Sequence, residues 1–138
     1  MRFVAFHRTP MLSLEHALAE STSSRHVRKA RRGGTQSELL ERVASSAGRS
    51  SEELLRDVAR RLGLEVLQDV RVPTSEVIRQ TGHEVSELKA ANVLPQEFHG
   101  GYLLAVADPA VLRCEDFKLI GVPVCLADAR LIHAAWNQ

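Results

Sequence analysis

Apolar positions recur along this chain first with a helical period and later with a strand-like one. Residues 2 to 6 alternate weakly and predict a short strand, and Ser13 to Glu20 predicts a short helix with Leu14, Ala17 and Leu18 on one side. From Thr35 the helical spacing is clear: Leu39, Leu40, Val43 and Ala44 share one face, and Gly48 ends the run. The next helix starts at Ser50 with Glu53 three residues on, a capping box in which the Ser oxygen accepts from the first turn and the Glu reaches back. Its apolar stripe is Leu54, Leu55, Val58, Ala59 and Leu62, and Gly63 is its stop. The opposite face carries Glu52, Glu53, Arg56, Asp57, Arg60 and Arg61. Glu52 to Arg56 and Asp57 to Arg61 stand four residues apart, where opposite charges meet, and acid before base suits the helix dipole.

An extended passage, Leu64 to Val72, precedes Pro73, and helical pieces are predicted at Ser75 to Gln80 and Glu84 to Ala91. The period then shortens. Val93 to Phe98, the pair Gly100 and Gly101, and Tyr102 to Ala107 predict strand, turn and strand, because glycine takes the positive φ of a tight hairpin without strain. Asp108 and Pro109 predict the start of a helix over Ala110 to Ile120, with Val111, Leu112, Phe117 and Ile120 in the core. Asp accepts orphan amides at such a start, and Pro has no amide to lose. Gly121 ends that helix, Val122 to Leu126 predicts a third strand, and Asp128 caps a last helix through Trp136. The expected fold class is α+β: a helical N-terminal part, then a small three-stranded sheet packed with helices. That sheet is a hairpin plus a strand after a crossover helix.

Composition adds to this picture at one place. Ser21 to Gly34 joins a Ser/Thr cluster to a basic run and ends in two glycines, the composition of a linker. The expected division is therefore an N-terminal segment and basic linker over 1–34 and an α+β domain over 35–138. The net charge of +1 hides an asymmetry: the first 34 residues carry seven Lys or Arg against two Asp or Glu, the remainder 11 against 15. Arg25, Arg28, Lys29, Arg31 and Arg32 supply most of the excess and are the candidate contacts for an anionic ligand. No aromatic residue is interleaved to stack on bases, so specific nucleic-acid recognition is not expected.

The search for catalytic chemistry is negative. The 138 residues contain no GxxxxGK[ST] phosphate loop and no HExxH, CxxC, GxSxG or GxGxxG. No two of the six histidines stand at i,i+3 or i,i+4, so no metal pair is expected, and no cofactor is called for. Asp108 ends a strand where ligands often bind in α/β sheets, but Pro109 beside it makes capping the better explanation. Cys114 and Cys125 are expected to be buried as small hydrophobes in a reducing compartment. No apolar run reaches the roughly 18 residues of a membrane helix, and the first ten residues lack a signal-peptide pattern. A cytoplasmic, non-enzymatic domain is expected.

The ordered combination of SSEELLRDVARRLGL at 50–64, VLP at 93–95 and LLAVADP at 103–109, followed by a last strand and helix, resembles the N-terminal domain of type II secretion and type IV pilus assembly ATPases. The resemblance covers residues 35–136, with an echo of a preceding repeat in LEHALAE at 14–20. It implies a non-catalytic adaptor or regulatory domain that docks an ATPase motor onto the cytoplasmic part of an inner-membrane platform protein. The implied partners are that platform protein and the motor domain itself, which would place the chain peripherally at the inner membrane. The candidate partner-binding residues are Glu53, Arg56, Asp57 and Arg60, since mixed charge can set register with a partner.

Some members of that family bind cyclic di-GMP through paired RLG-containing motifs. Here the motif Arg and Gly fall on Glu38 and Leu40, the later Gly on Ala47 and the Gln on Arg61, while the first motif has no counterpart. Glu38 would repel a diphosphodiester where Arg attracts it. Cyclic di-GMP is therefore the alternative and not the expected ligand, with Arg25 to Arg32 standing in for the missing motif arginines.

Overall fold

Four helices come first. In the computed structural model, which describes residues 4–5, 14–33, 38–113 and 122–138, these are α1 (Leu14–Ser21), α2 (Ser24–Gly33), α3 (Leu39–Ala47) and α4 (Ser51–Leu62). The expected stripes are buried, Leu14, Ala17 and Leu18 on α1, Leu39, Leu40, Val43 and Ala44 on α3, and Leu54, Leu55, Val58 and Ala59 on α4, except that Leu62 at the end of the α4 stripe is only partly buried. α1 packs on α4 and α2, α2 on α3, and α3 on α4, so each helix has two neighbours in the group. Gly48 and Gly63, at φ 69° and 72°, close α3 and α4 in the left-handed conformation that glycine adopts without penalty. At the start of α4, Ser50 Oγ accepts from the Glu53 amide at 3.1 Å. Glu53 itself stays in solvent and makes no return bond, so only half of the expected capping box forms.

The segment with linker composition is helix α2. Its Val27 and Ala30, three residues apart, are buried in the same core cluster as α1, α3 and α4. The Ser cluster acts as a cap, with Ser23 Oγ accepting from the His26 amide at 3.3 Å, and Arg and Lys are good helix formers. Two residues thus carry the whole apolar stripe of a helix that is otherwise polar but for Gly33.

The second half follows the strand-like period. Short helices α5 (Ser75–Thr81) and α6 (Val85–Ala90) precede β2 (Val93–Phe98) and β3 (Gly101–Val106), and β4 (Pro123–Leu126) leads into α7 (Ala129–Trp136). β1 (Val4–Ala5) adds a fourth, two-residue strand, giving the order β1-β4-β3-β2. β2 and β3 are antiparallel with Phe98 opposite Gly101, so the two-residue turn is His99 and Gly100, at φ 47° and 79°, one position earlier than expected. β4 lies parallel to β3, with Leu104 opposite Val124, after a crossover that starts with a 3-10 helix at Pro109–Arg113. The expected helix over 110–120 is thus 3-10 in its first turn. Its remainder, with Cys114, Phe117 and Ile120, lies outside the described residues.

Both faces of the sheet are covered. Leu104, Val106, Val124 and Leu126 point into the cluster built by α1–α4, while Leu103, Ala105, Ala107 and Cys125 alternate with them and meet Ala129, Ile132 and Ala135 of α7. Helices on both sides explain why β3 reads as a continuous apolar run. The passage from Leu64 to Val72 straps the layers together: it forms a parallel bridge, Val66 to Leu126, and farther on its Arg71 amide and carbonyl are both held by the Gln96 side chain, at 2.8 and 2.6 Å. Asp108 does more than cap the 3-10 turn, where it accepts from the Ala110 amide at 3.0 Å. The same Oδ1 accepts from the Leu14 amide at 2.9 Å and fixes the start of α1 against the end of β3.

Candidate functional site

Two charged helices carry the sequence-derived candidates. On α4, Glu53, Arg56 and Arg60 are exposed and Asp57 is half-buried. Arg56 pairs with Glu52 at 2.7 Å. Asp57, its side chain 21% exposed, faces Arg49 at 3.5 Å, Arg61 at 3.8 Å and Arg60 at 3.9 Å. Arg49 also donates to the Ser21 carbonyl at 3.3 Å, and Arg61 approaches Glu20 at 3.9 Å, so this network ties α4 to α1. Much of the charge on α4 is thereby neutralised within the chain, and Glu53 is left to solvent.

α2 is different. Arg25, Arg28, Lys29, Arg31 and Arg32 are all exposed, and among the described residues only Arg31 has an acidic partner, Glu15 of α1 at 3.3 Å. Arg25, Arg28, Lys29 and Arg32 together line a concavity of about 300 Å³. On the other side of the helix His26 Nδ1 meets Ser46 Oγ of α3 at 2.7 Å, which helps to fix which face points outward.

Of the four positions aligned with the dinucleotide motif, three are already engaged. Glu38 pairs with Arg42 at 3.1 Å, Arg61 belongs to the Asp57 network, and Leu40 is buried. The largest concavity among those described, about 580 Å³, lies elsewhere, beside Asp69, Arg71, Thr74, Gln96, Glu97 and His99, and none of the sequence-derived candidates lines it. Cys125 is buried in the sheet with its Sγ 3.6 Å from the Leu104 carbonyl, and burial pushes its thiol up to about 12, so it is protonated and unreactive at neutral pH. Burial also raises Tyr102 above its ordinary value. Among the described residues, no group of three or more His, Cys, Asp or Glu is placed to hold a metal, and no helix is long and apolar enough to cross a membrane.

This arrangement, a four-helix group followed by a mixed sheet covered on both faces, has a counterpart among solved structures. No protein-family model and no curated protein matches the chain. In fold it is similar to the solved structure of MshE, a type IV pilus ATPase with cyclic di-GMP, at a TM-score of 0.59 and 18% identity, over 90% of this chain and 96% of that one. The match reaches into the first 34 residues, since 90% of the chain cannot fit within 35–138.

Proposed function

We propose that the chain is a non-catalytic adaptor or regulatory domain of a type IV pilus assembly or type II secretion ATPase. It would act in the cytoplasm by docking the motor to the cytoplasmic part of an inner-membrane platform protein. The observation that supports this is the shared fold with MshE along nearly the whole of both chains, joined to the VLP and AVADP motifs in the sheet region. Glu53, Arg56, Asp57 and Arg60 form the proposed contact face: three are exposed on a helix anchored by four buried residues, a rigid base for mixed charge. Arg56→Ala with Arg60→Ala should reduce capture by a platform-protein cytoplasmic domain in a pull-down. Unchanged capture would remove this face from the proposal.

A second reading, a cyclic di-GMP sensor, is favoured by the dinucleotide in the MshE structure. The substitutions at the motif positions weigh against it, and Arg25 to Arg32 would have to supply the phosphate contacts. Calorimetric titration with cyclic di-GMP separates the two readings, with no heat at high micromolar ligand expected for the adaptor.

A further inference from the structure

Arg25, Arg28, Lys29 and Arg32 stand at i, i+3, i+4 and i+7 of α2. At about 100° per residue they occupy roughly 100° of arc, diametrically opposite the buried Val27 and Ala30, in a row about 10 Å long. Their spacing sets like charges against each other four times: Arg25 with Arg28 and Lys29, and Arg32 with Arg28 and Lys29. Each such pair destabilises a helix, and Arg25 also sits in the first turn, the wrong end of the dipole for a cation.

The rest of the chain shows what compensated charge looks like. Arg42, Arg49, Arg56, Arg60, Arg61 and Arg130 all lie within ion-pair distance of a carboxylate. The four cations of α2 have no such partner among the described residues. Self-repulsion concentrated on one outward stripe, in a protein that pairs most of its other described arginines with carboxylates, calls for an anion from outside.

We infer that this stripe is a docking surface for an acidic helical segment of a partner protein, with carboxylates at the same i, i+3, i+4, i+7 spacing. The composition of the stripe selects an anion, and its surroundings favour a polypeptide. Three of the four cations are arginines, whose planar fork matches a carboxylate or a phosphate bidentately, so they select an anion. The four side chains line an open concavity of about 300 Å³, with room for individual carboxylates between them. Finally, the flank of α2 already accepts a helix-borne carboxylate, since Glu15 of α1 pairs with Arg31 at 3.3 Å. The inference specifies only the charge and spacing of the partner, so it stands or falls independently of the pilus or secretion assignment and of the α4 face.

The test is fluorescence anisotropy with a labelled helical peptide bearing four Glu at i, i+3, i+4 and i+7, against an isomer with the same four Glu scrambled. The intact chain should bind the spaced peptide, and Arg28→Gln/Lys29→Gln/Arg32→Gln should weaken it about tenfold, as should raising salt from about 0.05 to about 0.3 M. The scrambled isomer should bind several-fold more weakly. Equal affinity of wild type and variant, or of the two peptides, overturns the inference. So does retention by phosphatidylserine vesicles, or heat with cyclic di-GMP, when the spaced peptide does not bind. Thermal melting by circular dichroism checks the variant's fold, and Arg25→Gln/Arg32→Gln replaces it if the triple change unfolds.

Discussion

Helices α2 and α4 are both short, both strongly charged and both packed into the helical group, yet they are built on opposite principles. α4 is anchored by Leu54, Leu55, Val58 and Ala59, and it places Asp57 among Arg49, Arg60 and Arg61. α2 is anchored by two buried apolar residues, Val27 and Ala30, with the His26–Ser46 and Arg31–Glu15 contacts, and leaves four cations unpaired among the described residues. Anchoring and charge compensation therefore go together in α4 and are both weak in α2. One helix is optimised as structure, while the other keeps charge available at a cost to its own stability.

The largest effect that tests this contrast comes from the anchors. Leu54→Ala should lower stability to urea by about 2–5 kcal/mol, whereas Val27→Ala should cost only about 1.5 kcal/mol, near the value for two buried methyls. Comparable losses would mean that α2 is as firmly seated as α4. Next in size is Asp57→Ala, which leaves three arginines without their shared carboxylate and should cost about 1 kcal/mol, discounted because the network is partly exposed to solvent. Equilibrium unfolding at low and high salt reads that loss, and it should shrink as salt rises. The smallest effect runs the other way. Lys29→Glu turns repulsions with Arg25 and Arg32 into attractions and should stabilise the protein by about 0.5 kcal/mol at low salt. A destabilised Lys29→Glu protein would remove the claim that α2 carries uncompensated charge.

What could be read in the sequence follows from how local each signal is. α3, α4, β2 and α7 were legible because their apolar spacing lies within the element and their boundary signals, such as Gly48, Ser50, Gly63 and Asp128, lie next to it. α2 was hidden because only Val27 and Ala30 carry its stripe, and Ser, Arg and Gly around them mimic a linker. The hairpin turn moved by one residue because His99 accepts a positive φ, leaving Gly101 free to pair with Phe98. The bond from Asp108 to the Leu14 amide spans 94 residues and has no sequence signal at all. In the candidate site, the positions of the charges on α2 and α4 were legible. Which of them are neutralised was not, because Glu15, Glu20 and Arg49 come from outside the two helices.

The alternation that buries both faces of β3 has a consequence for the chain during its synthesis. Leu103 to Ala107 is a charge-free apolar run whose two coverings are α1–α4, made earlier, and β4 with α7, made later. Until residues 122–136 leave the ribosome, the α7 side of β3 lacks its cover and the edge that takes β4 is unpaired. An incomplete chain of this kind favours association between copies. Translation through the last strand and helix is thus the step that closes the aggregation-prone surface, and chaperone binding to stalled chains should fall sharply once α7 has emerged.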